Sequence, residues 1–163
     1  MDLTIGMAQK LTSPNPFALL ATKKPGGKTN LMAVSWWTYA SNHPPMVAVC
    51  LSKKGYSGEL IQAEKEFSLN VVDESLKEAA FKCGTCSGRM VDKPEQFGIE
   101  LKEAQVIDTK LVAASRVSLE CRLVNSVEAA DHMMYLAEVV SISCNENAKA
   151  VYAWDGYKKL DST

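Results

Sequence analysis

The strongest constraint on the fold of this chain is a segment in which apolar and polar residues alternate. Across residues 117–127, apolar side chains recur at every second position, and polar side chains fill most of the positions between them. Successive side chains of a β-strand point to opposite faces, so this spacing predicts a half-buried strand with one polar face. The apolar set is Val117, Leu119, Cys121, Leu123 and Val127, and the polar set is Ser118, Glu120, Arg122 and Ser126.

Other segments also carry strand signals. Residues 17–22 and 29–39 flank the turn sequence PGG and are predicted to form a hairpin. Residues 46–51 are apolar on both faces, as expected of a strand buried on both sides. Residues 133–142 are apolar on both faces except at Glu138, which predicts a central strand or one that meets a partner subunit.

Only short helices are predicted between these strands. Residues 57–63 form one, and residues 75–82 form another that Ser75 and Glu78 would start with a capping box. A third begins near Asp92, with proline in its first turn. Because the strands do not alternate with helices as in βαβ units, the chain is predicted to be mainly β, an antiparallel Greek-key barrel with accessory helices.

Composition narrows the classes of protein to which the chain could belong. Its 163 residues, 47% of them hydrophobic, suit a single domain over residues 1–163. Lys and Arg total 18 against 19 Asp and Glu without a basic block, so no nucleic-acid partner is expected. No apolar run approaches the roughly 20 residues that span a bilayer, and no membrane association is expected. The first residues lack a basic and apolar leader, which predicts a cytoplasmic location.

Two adjacent tryptophans stand out in the segment NLMAVSWWTYAS, residues 30–41. Neighbouring residues on a strand face opposite ways, so Trp36 and Trp37 cannot both lie in the core. One of them is free to stack on a planar ligand or to fill an interface. The alternative is that both are structural, which is the commoner role of tryptophan pairs in β proteins.

Two further segments have the composition of an anion site. LSKKGYS, residues 51–57, combines hydroxyls, lysines and a glycine just before a predicted helix, and helix N-termini attract phosphate. A solvated turn with an ordinary N-cap is the alternative. CGTCSGRMVDK, residues 83–93, places small residues, a hydroxyl and two cations in a loop that could hold a second part of an anion.

The pair Cys83 and Cys86 permits a redox or a zinc interpretation. Redox CxxC motifs normally open a helix after a strand, whereas this pair closes a predicted helix. A zinc site would need two more ligands, and Cys121 and Cys144 lie in separate strands without matching spacing. No metal site is predicted.

Four segments and a turn, taken in chain order, resemble the flavin reductase-like FMN-binding split-barrel family, with flavoredoxins as the nearest branch. The segments are NLMAVSWWTYAS, PPMVAVCLSKKGYS, EFSLNVV and CGTCSGRMVDK, and the turn is at residues 130–132. The resemblance covers nearly the whole chain. It implies a homodimeric Greek-key split barrel that holds FMN near the subunit interface. The implied cofactor-binding residues are Asn30, Ala33, Val34, Ser35, Trp36 and Trp37, then Cys50, Leu51, Ser52, Lys53 and Ser57, and finally Ser87, Gly88, Arg89 and Lys93.

The resemblance also implies a role for each segment. Residues 33–36 would contact the isoalloxazine ring and the ribityl chain, whereas Ser52, Lys53 and Ser57 would hold the phosphate. Residues 87–89 and 93 would complete the ribityl and phosphate contacts. His132 would stand on the side of the nicotinamide or other electron donor, as the candidate catalytic residue. Cys86 departs from the family pattern, in which a non-thiol residue is frequent, and could be a local redox elaboration.

The expected function is electron transfer through the bound flavin, because in such proteins the cofactor carries the chemistry. NADH or NADPH would be the donor of a flavin reductase-like enzyme. The alternative is a flavoredoxin-type carrier that exchanges electrons with partner proteins and turns over no small substrate. A cofactor-free interaction domain is a third possibility, which a purified protein without flavin absorbance would support.

Overall fold

The computed structural model describes residues 4–163, which form twelve strands, four α-helices and one 3₁₀ helix. The strands are β1 (Asn15–Pro16), β2 (Ala18–Lys23), β3 (Thr29–Val34), β4 (Trp37–Asn42), β5 (Pro45–Ser52), β6 (Glu66–Val72), β7 (Leu101–Lys102), β8 (Leu111–Val112), β9 (Ser115–Ala129), β10 (His132–Cys144), β11 (Val151–Trp154) and β12 (Lys159–Ser162). The α-helices are α1 (Ile5–Leu11), α2 (Tyr56–Glu64), α3 (Lys77–Cys83) and α4 (Lys93–Gln96), and the 3₁₀ helix is Glu74–Leu76.

Seven strands form one antiparallel sheet in the order β3-β2-β6-β9-β10-β5-β4. The expected mainly β, antiparallel architecture is confirmed. The predicted central position of the segment 133–142 is also confirmed, since β10 lies between β9 and β5. The predicted second hairpin strand is divided, because β3 ends at Val34 and β4 begins at Trp37. The two edge strands of the sheet, β3 and β4, are therefore consecutive in the chain.

Two hydrophobic clusters lie on opposite sides of β2. Ala18 and Leu20 face a cluster that includes Trp37, Val49 and Leu69, whereas Leu19 and Ala21 face the second cluster. Every one of these four β2 side chains is fully buried. This strand therefore separates the barrel interior from the layer formed by α3 and β11, whose side chains join the second cluster.

The alternation predicted for residues 117–127 is wrong at three positions, because Ser118 and Glu120 are buried and because Val127, beyond a register shift between Leu123 and Asn125, is 47% exposed. The Glu120 carboxylate accepts backbone N–H bonds from Gln105, Val106 and Ile107 at 2.7, 2.7 and 3.1 Å. Ser118 donates its hydroxyl proton to Asn70 Oδ1 at 2.9 Å. Both side chains are buried because polar groups of other segments satisfy them.

The short helices begin close to their predicted positions. Helix α4 starts after Asp92, whose carboxylate accepts a bond from the Glu95 N–H, as expected. The predicted capping box at Ser75 is wrong, because Asp73 caps the 3₁₀ helix by accepting from Ser75 N at 3.1 Å. Between residues 4 and 163, no helix is both long and apolar enough to cross a bilayer.

Candidate functional site

Two cavities adjoin at Met32, which lines both of them. The first cavity has a volume of about 240 Å³ and the second about 450 Å³, close to the roughly 300–1,000 Å³ typical of ligand pockets. The first is lined by Gln9, Met32, Ala33, Val34, Ser35, Trp36, Cys50, Leu51, Ser52, His132 and Tyr157. The second is lined by Asn30, Met32, Lys54, Gly55, Tyr56, Ser57, Gly84, Thr85, Cys86, Ser87, Gly88, Arg89 and Lys93.

The first cavity forms where β3 gives way to β4. Cys50 donates its backbone N–H to Trp36 O at 2.8 Å, which fixes this bend against β5. Trp37 turns inward and is only 9% exposed, whereas Trp36 remains 40% exposed and lines the cavity. The predicted division of the two tryptophans between the core and a free face is therefore confirmed.

His132 reaches the same cavity because it opposes Ser52 in the β10–β5 pairing. Its ring lies 4.8 Å from the Trp36 ring, centroid to centroid, with 32° between the planes. On the other side, His132 Nδ1 lies 2.8 Å from Asp131 Oδ1. This hydrogen bond lowers the pKa of the Asp131 carboxyl. The imidazole is thus held between an aromatic ring and a carboxylate at the cavity wall.

The first turn of α2 faces the second cavity. Gly55 is the N-cap residue and has no side chain to bond the N–H groups of that turn. Such N–H groups, with the positive end of the helix dipole, favour anions. Ser57 in this turn is 3% exposed, and its hydroxyl accepts a bond from Asn30 Nδ2 at 2.9 Å. Asn30 also donates to Thr22 Oγ1 at 3.0 Å, which fixes its amide in the cavity floor.

The segment 84–89 forms the opposite wall and lies very close to this floor. A Cβ built on Gly88 would lie 1.7 Å from Asn30 Oδ1, which is far inside van der Waals contact. Lys24 Nζ donates to Gly88 O at 2.7 Å, and Ser87 Oγ accepts from Arg89 N at 3.2 Å. The absence of a side chain at Gly88 is what allows the two walls to meet.

Two cations that line the second cavity have partners within the protein. The Arg89 guanidinium lies 4.5 Å from the Tyr56 ring centroid and pairs with the Glu59 carboxylate. Lys93 is 4% exposed, and its Nζ donates to Leu31 O and to Cys83 O at 2.7 Å each. Burial lowers the pKa of Lys93. An ammonium group has three donors, so one donor of Lys93 remains beyond these two bonds.

The structure brings most of the predicted site residues to these cavities, but not two of them. Trp37 belongs to the core, where it lines a smaller cavity with Trp36 and Met134. Lys53 lies outside both cavities, in the turn next to β10, and pairs with Glu128. The sequence analysis missed Gln9, Met32, Lys54, Gly55, Tyr56, Gly84, Thr85, Cys86 and Tyr157. Most of these lie within the segments that it identified, whereas Gln9 and Tyr157 come from distant positions without a local motif.

The cysteine pair lies at the carboxyl end of α3. Burial raises the pKa of the Cys83 thiol to about 11, which disfavours the reactive thiolate. Cys86 lines the second cavity, and its sulfur lies 3.7 Å from Lys82 O. Within residues 4–163, no three His, Cys, Asp or Glu side chains are grouped so that they could hold a metal ion.

Sequence comparison places residues 11–161 within the flavin reductase-like domain family. An uncharacterised protein of Aeropyrum pernix is 30% identical over 141 residues, which are 86% of this chain. The chain spans only half of the length of that relative.

Solved structures share the fold. Flavoredoxin of Desulfovibrio vulgaris superposes with a TM-score of 0.86 at 21% identity, over 100% of this chain and 93% of that protein. The NADH:FAD oxidoreductase SgcE6 of Streptomyces globisporus superposes with a TM-score of 0.86 at 17% identity, over 100% and 98% of the two chains. The architecture is accordingly the split barrel of flavin reductases.

Proposed function

The chain belongs to the flavin reductase-like domain family, and from that membership we propose that it binds FMN across the two cavities and passes electrons through it. The donor would be NADH or NADPH. The observation that supports this proposal best is the pairing of two unlike cavities at Met32. One offers an exposed aromatic ring, and the other offers helix N–H groups beside cations. These are the chemistries that a flat heteroaromatic ring and a phosphate require.

The residues of the second cavity fit a terminal phosphate. The uncapped first turn of α2 supplies backbone donors, and Lys54 and the Ser87 hydroxyl line the same cavity. Lys93 is a buried cation whose two bonding partners are neutral carbonyls, so an anion in this cavity would offset its desolvation. Ser57 and Asn30 hold each other in place and keep the floor rigid.

The residues of the first cavity fit the ring system. We assign Trp36 to the wall against the ring, with residues 33–35 and 50–52 around it. FMN, when bound, supplies the ability to accept a hydride or single electrons and to pass them on. Backbone N–H groups near the ring would stabilise negative charge that develops there. His132, fixed by Asp131, is the residue that we place on the donor side.

The first experiment identifies the cofactor. The purified chain should show the absorbance of an oxidised flavin, and the flavin released by heating should run as FMN in chromatography. A colourless protein that takes up no added flavin would contradict the proposal and would favour an interaction domain.

The second experiment tests for an enzyme. The FMN-loaded protein should oxidise NADH or NADPH in the presence of free flavin, with turnover within the range of about 1 to 10³ per second of typical enzymes. His132→Ala should slow this oxidation while the absorbance of bound flavin persists. If neither nicotinamide is oxidised, the reductase assignment fails.

A carrier without its own small substrate is the second candidate, and the structural likeness to a flavoredoxin favours it. In that case, the bound flavin would be reduced by a protein donor and reoxidised by a protein acceptor. The carrier would be supported if neither NADH nor NADPH is oxidised and if a reduced electron-transfer protein such as a ferredoxin rapidly reduces the bound flavin.

We also propose that the chain forms a homodimer through the outer face of β5, β10 and β9. Met134 opposes Cys50 on one side and Val127 on the other, so these three side chains share a face. Met134 is 37% exposed and Val127 47%, which leaves an apolar strip next to Trp36. Light scattering should give twice the chain mass, and Met134→Asp should give a monomer. The control Val106→Asp, at an exposed apolar residue of another segment, should leave the mass unchanged.

A further inference from the structure

We propose that Tyr56, Arg89 and Glu59 form a rim that selects FMN over FAD, an inference that rests on the proposed phosphate position in the second cavity. Tyr56 and Arg89 line this cavity from opposite walls, one from the first turn of α2 and the other from the segment 84–89. Their contact, with 4.5 Å from the guanidinium carbon to the ring centroid, joins the two walls. The Glu59 carboxylate pairs with Arg89 and holds the guanidinium in this position.

The burial of these residues shows which end of the cavity the rim occupies. Asn30 and Ser57 are each 3% exposed and form the floor of the cavity, which is its inner end. The side chains of Arg89 and Glu59 are 44% and 58% exposed and form the outer end. A ligand that extends from the floor toward solvent between the two walls would meet the Tyr56–Arg89 contact, beside which the Glu59 carboxylate lies.

FMN and FAD differ at this end of the molecule. The phosphate of FMN is a terminal monoester with a charge of about −1.5 to −2 at neutral pH, so it would end at the rim and face Arg89. In FAD, the same phosphoryl group continues into a second phosphoryl group and an adenosine. The second phosphoryl group would have to part Arg89 from Tyr56 and approach the negative Glu59. Steric exclusion and like-charge repulsion thus act in the same direction.

The test compares three ligands on the full-length protein after flavin removal, at one ionic strength. Dissociation constants for FMN, FAD and riboflavin are measured by quenching of flavin fluorescence. The wild-type protein should bind FMN at least about tenfold more tightly than FAD. Glu59→Gln and Tyr56→Ala should each lower this preference about threefold or more, as expected when a partly exposed contact is removed.

Two matched controls isolate the rim. Tyr56→Phe retains the aromatic ring and should retain the preference. Glu64→Gln makes the same charge change on the exposed carboxyl end of α2, about 7.5 Å further along the helix axis than Glu59, and should also retain it. Circular dichroism checks that each variant is folded. If Tyr56→Ala does not fold, the test relies on Glu59→Gln, which changes an exposed residue.

The outcomes separate this inference from the proposed function. If wild-type protein binds FMN more tightly than riboflavin but binds FAD equally well, the phosphate assignment stands and the rim is refuted. The rim is also refuted if Glu59→Gln and Tyr56→Ala behave as the controls do. If FMN and riboflavin have equal dissociation constants, the proposed phosphate position is wrong, and the inference about the rim is refuted as well.

Discussion

Replacement of Gly88 by alanine should destabilise the chain and weaken FMN binding together. The backbone of Gly88 does not have a positive φ, so alanine is compatible with its conformation. The conflict is steric, because the new Cβ would lie 1.7 Å from Asn30 Oδ1 and 2.8 Å from Asn30 Cγ. Asn30 cannot turn away without losing its bonds to Thr22 and Ser57.

The magnitude follows from these contacts. Overpacking of a tight site costs about 1–3 kcal/mol. Two strained or lost neutral hydrogen bonds add about 1 kcal/mol each. The smaller conformational freedom of alanine in the unfolded chain offsets about 0.4–1 kcal/mol. The net loss in the free energy of unfolding should therefore be about 2–5 kcal/mol, and it should appear in urea unfolding as a midpoint lower by about 1 M or more.

The partner residue gives the decisive control. In an Asn30→Ala background the obstructing oxygen is gone, so the further change Gly88→Ala should cost less than about 1 kcal/mol. Gly6→Ala, whose new Cβ would lie 3.8 Å from the nearest atom, should not destabilise the chain. If Gly88→Ala costs the same with and without Asn30, the collision is not the cause and the argument fails. FMN titration of the same variants should show weaker binding in Gly88→Ala.

Three further predictions concern the carboxylates and the phosphate wall. Glu120→Gln should lower the free energy of unfolding by about 2–4 kcal/mol in a urea titration, because an amide has one acceptor oxygen for the three N–H groups that the carboxylate now binds. The control Glu100→Gln, at an exposed residue, should change this free energy little. Hydrogen bonds from Ser75 and Lys149 lower the pKa of the Asp73 carboxyl in the folded protein. The stabilisation by this carboxylate is therefore complete above its unfolded pKa of about 4 and is lost as the pH falls through the lower folded pKa, so Asp73→Asn should flatten the fall in the free energy of unfolding below about pH 4. Ser87→Ala should raise the dissociation constant for FMN about tenfold or more, as expected for the loss of one charge-assisted hydrogen bond, whereas Lys53→Ala should leave it nearly unchanged because Lys53 lies outside the second cavity. Equal effects of the two substitutions would contradict this placement of the phosphate and would favour a site beside Lys53.

The sequence predicted the sheet and the division of the two tryptophans because both depend on local alternation. A period of two places Trp36 and Trp37 on opposite sides, but it does not decide which of them faces inward, and both were among the predicted cofactor-binding residues. The alternation also predicted β9, but it assigned Ser118 and Glu120 to solvent. Their burial depends on N–H groups and an amide that other segments supply, and a one-dimensional pattern does not contain those partners.

The limits of the site prediction have the same origin. A lysine shortly before a helix is a reasonable phosphate ligand, and both Lys53 and Lys54 satisfy that description. Which of them faces the cavity is decided by the turn after β5 and by Glu128 at the end of β9, which pairs with Lys53. Gln9 and Tyr157 reach the first cavity because the turn after β11 lies against α1 and the residues that follow it: a Cβ on Gly156 would be 3.7 Å from Gln9 Oε1, and Asp155 N donates to Ser13 Oγ at 2.9 Å. No local motif marks that contact.

The two cavities that meet at Met32 are built by different parts of the chain. The bend between β3 and β4 and the ends of β5 and β10 form the first, whereas α2 and the segment 84–89 form most of the second. With the flavin placed as proposed, substitutions in the first cavity would alter the reacting end of the site without touching the segments that hold the phosphate. Natural variation in this fold could change the electron donor while flavin affinity stays constant, and an engineer could mutate the two halves in separate libraries and combine the results.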